Sequence, residues 1–274
     1  MNNPLSPYAL GSTDAEHERL IRQGARLAPY TERFFREAGI GADQRVLDIG
    51  SGVGDVAILA ARLVGPWGEV LGVERDARSI TRAQARVDEA GLRNVTFTQS
   101  DVAQILSDKL FDAAVGRYIL MYLPDPAEVL RALSRLVRPG GVLAFQDATW
   151  VPVLALSAQR PLWSACASLV VEAFRRSGAD PEMGVALYRT FQRAGLPVPR
   201  MHLDVLLETG PAAVREIHDI FRSLQPQIAR SDLKLAPLGD LDTLPARLEA
   251  ELAASNGPAT WLGVVGAWCR KPTD

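Results

Sequence analysis

A chain of 274 residues can form one large domain or two small ones, and 47% hydrophobic against 23% charged residues is the balance of a globular protein able to bury a full core. The formal net charge of −2 and pI of about 6.0 argue against a broad nucleic-acid surface, and two cysteines, Cys166 and Cys269, outside any metal-ligand spacing, argue against a disulfide scaffold or a zinc site. No apolar run is long enough to span a bilayer, and the polar, Pro-containing stretch MNNPLSPYALGSTD has no apolar signal core, so a reducing cytoplasm is the expected location.

Residues 1–13 read as irregular. From Asp14 to Ala38, Leu20, Leu27 and Phe34 share a helical spacing that Pro29 breaks midway. Strands and helices then alternate from Arg45 to Asp147, which predicts parallel strands with helices on both faces. The first strand, Val46 to Ile49, runs into Gly50-Ser51-Gly52-Val53-Gly54-Asp55 and a helix over Val56 to Val64. Strand, glycine turn and helix N-terminus together let a ligand meet bare backbone. The dinucleotide fingerprint needs G-x-G-x-x-G, whereas the pattern here is G-x-G-x-G with Asp55 at the place of the third glycine. A carboxylate in the first turn suits the helix dipole but would repel a pyrophosphate. With Asp48 adding charge, the turn predicts a ligand bearing positive charge or hydroxyls.

A second strand, Glu69 to Glu74, ends in an acid 24 positions after Gly50, near the ~20-residue offset at which a carboxylate grips ribose hydroxyls. A third, Val95 to Gln99, ends at Ser100-Asp101, and a fourth, Phe111 to Val115, at Gly116-Arg117-Tyr118. Polar groups thus gather at carboxyl ends of strands, where open α/β sheets bind ligands. Arg75, Arg78, Arg82 and Arg86 read as the solvated face of one helix. A helix over Asp125 to Leu136 has Pro126 in its first turn, and Pro139-Gly140-Gly141 reads as the turn into a fifth strand ending at Asp147.

The alternation then lapses. Ser157 to Arg176 has one apolar face, made by Leu162, Trp163, Cys166, Leu169, Val170, Ala173 and Phe174. Pro181 to Ala194, Pro211 to Ala229 and Leu244 to Ala254 read as further helices, and Met201 to Leu207 and Ala259 to Cys269 as strands.

Five stretches, VLDIGSGVGD (46–55), GVERD (72–76), SDV (100–102), FDAAVGRYILMYLPDP (111–126) and LVRPGGVLAFQD (136–147), follow in unbroken order. In them the chain resembles the class I S-adenosylmethionine-dependent methyltransferases, in their small-molecule branch. The resemblance implies a Rossmann-like, seven-stranded, mostly parallel sheet with helices on both faces and an antiparallel last pair of strands. It also implies S-adenosyl-L-methionine as cofactor. Residues 1–40 form an N-terminal helical cap in this reading, 41–149 the cofactor core, and 150–180 and 211–256 insertions that complete a helical lid, all in one domain. By the same resemblance Asp48, Gly50, Ser51, Gly52 and Gly54 surround the methionine portion, Glu74 and Arg75 take the ribose side, and Ser100, Asp101 and Val102 take the adenine. Arg117, Tyr118 and Tyr122 complete the cofactor-binding set, Arg117 and Tyr118 at the cofactor's edge facing the acceptor, although relatives often carry a small or polar residue where this chain has Arg117. Tyr8, His17 and Gln23 touch the methionine carboxylate or seal the pocket; a surface amphipathic helix explains that segment equally well.

Methyl transfer requires the acceptor lone pair in line behind the methyl carbon, in a dry, closed pocket. An oxygen acceptor of high pKa also needs a base; the candidates are His17, Tyr30, Asp147 and His202, with Asp147 best placed after the fifth strand and equally able to cap the next segment. The fourth strand ends without an acid, so no metal site is expected. Trp150, Trp163, Phe174 and Phe221 suggest a small, apolar or aromatic acceptor, oxygen before nitrogen or carbon, and core packing explains them as well. A peptide acceptor and a homodimer are open, and no nucleic-acid or membrane partner is expected. The rival readings are a cofactor binder without turnover, a cyclase using the sulfonium as an electrostatic aid and, against the glycine spacing, a nicotinamide dehydrogenase.

Overall fold

A computed structural model describes residues 10, 11, 13–102, 104–231 and 233–273. Its elements run α1 (Asp14–Ala38), β1 (Arg45–Ile49), α2 (Asp55–Val64), β2 (Glu69–Glu74), α3 (Ala77–Glu89), β3 (Val95–Gln99), β4 (Phe111–Arg117), a 3-10 turn (Leu120–Tyr122), α4 (Pro126–Leu136), β5 (Val137–Thr149), α5 (Val151–Ser157), α6 (Pro161–Arg176), α7 (Met183–Arg193), β6 (Arg200–Glu208), α8 (Pro211–Arg230), α9 (Leu244–Ala254) and β7 (Ala259–Arg270). The chain divides into two compact units. One holds the described residues within Ser12–Asp147, Ala186–His202 and Val265–Asp274; the other holds those within Met1–Gly11, Ala148–Val185 and Leu203–Val264.

The seven-stranded sheet has the order β3-β2-β1-β4-β5-β7-β6. Pairings β3-β2, β2-β1, β1-β4 and β4-β5 are parallel. β7 runs against β5, since Gly140 and Lys271 exchange backbone bonds at one end and Gly263 abuts Thr149 at the other. The strand order reverses between β1 and β4, and that is where open α/β sheets take ligands. In the first unit, the face toward α1 and α2 is filled by Phe34, Phe35, Val46, Ala57, Ala61, Val64, Val115 and Ala144. The other face carries Phe145 against Phe191 of α7, ring centroids 6.4 Å apart.

Three local expectations need correction. Pro29 does not break α1, which continues for 25 residues; burial of Leu27, Phe34 and Phe35 outweighs the backbone bond a proline forfeits. Pro139-Gly140-Gly141 is not a turn ahead of the fifth strand but lies inside it. Phe111 pairs with Val137 while Ala113 already pairs with Val142, so the β5 backbone bulges outward there, with Gly140 at φ 73°. The arginines of α3 are not simply solvated: Arg78 reaches Asp14 at 2.9 Å and Arg82 reaches Glu18 at 2.8 Å on α1, while Arg86 holds Asp55 at 2.8 Å with both side chains largely buried.

The second unit packs its own core. Trp163, Cys166, Val170, Ala173 and Phe174 of α6 are buried, as are Ile217, Ile220, Phe221 and Leu224 of α8 and Leu244, Leu248 and Leu252 of α9. Leu162 and Leu169, expected on the same apolar face of α6, are only half-buried. Glu251 accepts the Leu162 and Trp163 N–H groups at 2.9 and 2.8 Å, capping α6. No described helix is long and apolar enough to cross a membrane.

Candidate functional site

The glycines after β1 all lie in the left-handed region, with φ of 63° at Gly50, 52° at Gly52 and 85° at Gly54. Their surroundings differ. A Cβ on Gly50 would strike Ile119 at 2.5 Å, and one on Gly54 would press on Ala83 at 3.1 Å and Phe97 at 3.3 Å. A Cβ on Gly52 would meet nothing within 4 Å. Gly50 and Gly54 therefore serve close packing, and Gly52 is the place where backbone stands open to a ligand. Its N–H donates to Glu74 Oε2 at 3.0 Å, and Glu74 Oε1 accepts from Arg75 N and Asp76 N at 2.8 and 3.0 Å. The carboxylate at the end of β2 is thus fixed by three backbone donors, and Oε2 retains an acceptor site for a hydroxyl. Asp76 caps α3 through Ser79 N at 2.8 Å.

Asp48 is fully buried near the first turn of α2, where the Ala57 N–H faces it; among the described residues neither carboxylate oxygen has a hydrogen bond of ordinary geometry. Burial raises its pKa well above the usual carboxylate range; Arg117 opposes the rise, and Glu74 and Asp55 add to it. Asp55, the first residue of α2, is likewise raised by burial and pulled down by Arg86. Its carboxylate lies where a Cβ on Gly24 of α1 would be, 2.3 Å from Asp55 Cγ. Alanine favours helix over glycine by about 1 kcal/mol, yet Gly24→Ala is expected to destabilise the protein by about 1–3 kcal/mol in urea unfolding, because α1 must move off α2.

At the end of β4, Tyr118 has φ 56° and donates its N–H to Gln146 O at 2.8 Å. A bulky residue in this region is strained, and such strain gathers at functional sites. Arg117 pairs in register with Gln146, and Val115 with Asp48. Strand alternation therefore sets Asp48, Arg117 and Gln146 on one face of the sheet. Arg117 Nη1 donates to Thr31 Oγ1 of α1 at 3.0 Å, and that hydroxyl donates to Gln146 Oε1 at 2.7 Å. Asp147 points to the opposite face, buried, accepting the Leu120 N–H at 3.2 Å.

The other candidates spread out. His17 is buried, its Nε2 3.2 Å from Ser79 Oγ at the start of α3. Gln23 accepts from Arg19 at 3.3 Å, and Arg19 forks both oxygens of Glu16 at 2.8 and 2.7 Å. Ser51 is buried, its N–H bonded to Val73 O. Ser100 N–H donates to Glu74 O at 3.0 Å, which sets Ser100, Asp101 and Val102 beside the β2 end, while Arg75 is exposed. Tyr122 closes the 3-10 turn after β4. Tyr30 lies half-buried on α1, 5.9 Å below the Arg33 guanidinium. His202 stands on β6, at the sheet edge far from β4, against Phe34 with centroids 5.1 Å apart. Tyr8 lies outside the described residues. Thr31 and Gln146 escaped the sequence reading, since they meet Arg117 only through tertiary structure; a buried Thr on the α1 face and a Gln just before Asp147 were the available signals. Among the described residues no three His, Cys, Asp or Glu side chains gather to hold a metal ion.

The donor set suits S-adenosylmethionine: buried acid for a cation, an anchored carboxylate for hydroxyls, and one open glycine between them. A family model described as a methyltransferase domain matches residues 40–195, more than half of the chain. The arsenite methyltransferase of Aquipseudomonas alcaligenes is 40% identical over 111 residues, covering 38% of this chain and 32% of that protein. Methyltransferase str3 of Strobilurus tenacellus is 29% identical over 191 residues, covering 68% of this chain and 66% of that protein. The chain thus spans about a third of the first relative's length and just under two thirds of the second's. The YcgJ protein of Bacillus subtilis superposes with a TM-score of 0.55 at 17% identity, over 90% of this chain and 99% of its own, a likeness of fold. With the family model matched across β1 to α7, the chain belongs to the class I S-adenosylmethionine-dependent methyltransferases, and S-adenosylmethionine is its cofactor.

Proposed function

We propose that this chain transfers the methyl group of S-adenosylmethionine to a small acceptor, with oxygen favoured as the acceptor atom. The observation that carries the reading is the open Gly52 between the anchored Glu74 and the buried Asp48. Bound there, the cofactor supplies an activated methyl: the acceptor lone pair forms the new bond to carbon as the carbon–sulfur pair returns to sulfur. The protein's part is to hold the two in line, and positioning of this kind lowers a barrier by up to ~7–11 kcal/mol. Asp48 and Glu74 hold the cationic nucleoside, with Ser100 to Val102 at the adenine and Tyr118 and Tyr122 at the acceptor. Of the candidate bases, His17 stands beside the start of α3; Asp147 faces the other side of the sheet from Arg117 and His202 lies on the edge strand β6, so neither of those two is favoured.

One expectation about the acceptor shifts. Trp150, Trp163, Phe174 and Phe221 are each at most 5% exposed, so they are accounted for by the core of their own unit and give no support to an apolar acceptor. Arsenite is disfavoured, because soft metalloids need thiolates and burial pushes both Cys166 and Cys269 up to about 12. Incubation with methyl-labelled S-adenosylmethionine and a panel of small phenols and carboxylic acids is expected to place label on oxygen of at least one acceptor. Label on carbon or nitrogen alone would overturn the oxygen preference, and cofactor binding with no label in any product would favour a non-transferring binder or cyclase.

A further inference from the structure

The polar groups along the switch point are segregated by sign. On the β1 and β2 side stand acceptors, the carboxylates of Asp48, Asp55 and Glu74. On the β4 and β5 side stand donors. Arg117 makes one hydrogen bond among the described residues, to Thr31, which leaves four of the guanidinium's five N–H groups without a hydrogen-bond partner among those residues. Because Thr31 accepts from Arg117 and passes its own proton to Gln146 Oε1, the Gln146 amide N–H2 is turned away from Thr31. That nitrogen is buried and has no acceptor among the described residues. Leaving a buried N–H2 without an acceptor is costly, and a ligand oxygen would satisfy it.

We propose that Arg117 and Gln146 form the acceptor-recognition wall, and that the methyl acceptor carries an oxyanion, a carboxylate or a phenolate. This rests on the methyltransferase reading above. A planar guanidinium on the sheet surface, held from one side by Thr31, matches two oxygens of a carboxylate.

Benzoate and benzamide, alike in shape and different in charge, test this by calorimetry on the full chain with and without S-adenosylhomocysteine. Benzoate is expected to bind the loaded protein roughly tenfold more tightly than benzamide. Arg117→Met is expected to bring the two probes within about twofold on the S-adenosylhomocysteine-loaded protein, and Arg117→Lys to keep part of the preference. Gln146→Leu, which leaves the guanidinium in place, gives a second measure, a weakening of benzoate alone by a few-fold. Equal affinity for the two probes, no saturable benzoate binding, or a preference that survives in Arg117→Met overturns the proposal. Failure of S-adenosylhomocysteine itself to bind strikes the cofactor assignment instead, and the unloaded comparison of the two probes still decides the oxyanion wall.

Discussion

Gly52→Val is expected to weaken S-adenosylhomocysteine binding by more than ~100-fold while the protein stays folded. The Cβ would enter space where nothing described lies within 4 Å, so the ligand-free loop has room at the point of substitution. The cost to folding is that of a β-branched residue at φ 52°, about 1–3 kcal/mol. The Gly52 N–H bond to Glu74 survives the change, so the loop keeps its anchor. Gly54→Ala is the matched control. It presses on Ala83 and Phe97, so its loss is expected in thermal stability first and in affinity second. Calorimetry and thermal melts on both variants separate the roles; binding by Gly52→Val within threefold of the parent would mean that the ligand does not pass over Gly52.

Asp48→Asn is expected to make the ligand-free protein more stable and the cofactor site weaker at once. The Asp48 pKa is raised in the folded protein, chiefly by burial, so the folded state favours the protonated acid. Its contribution to stability is complete below the ordinary carboxylate range and is lost as pH rises through the raised value. Asparagine keeps the neutral form at every pH, so the melting temperature of the variant should exceed the parent's above that transition. Binding runs the other way. A cationic ligand favours ionised Asp48, so it releases a proton, and affinity climbs up to ~10-fold per pH unit below the transition. In the variant the slope should vanish and affinity at the high-pH end fall by about 10–100-fold. Calorimetry in two buffers of unlike ionisation enthalpy reads the released proton directly. A flat pH profile in the parent, or a less stable variant, would refute this account.

The parts of the site that local chemistry controls were legible in the sequence. Largely apolar runs of four to six residues, closed by Gly50, Glu74, Ser100-Asp101 and Gly116, located β1 to β4 to within two residues, and the spacing of Gly50, Gly52 and Gly54 marked the turn. What each glycine faces was not legible, because Ile119, Ala83 and Phe97 arrive from distant strands and helices. Thr31 and Gln146 were missed for the same reason: they are 86 and 115 positions from their partners Arg117 and Thr31, and no periodicity carries such a pairing. Arg86 read as a solvated residue because its recurrence matched a helix face; its partner Asp55 comes from another element. For the aromatic residues of the second unit the sequence left a ligand wall and a core equally open, and their burial favours the core.

The sheet is not completed in the order in which it is made. β7 lies between β5 and β6, yet it is synthesised after both. While the ribosome is still extending the chain, β5 has a vacant side and β6 has no neighbour in the sheet. Only when the segment around Ala259–Arg270 emerges can the gap close, and Lys271 then ties the new strand to the Ser134 and Val137 carbonyls at 2.8 and 2.9 Å. An open strand edge invites pairing with another nascent chain. The interval before β7 emerges is therefore the stage of biosynthesis at which this protein most needs protection by a chaperone.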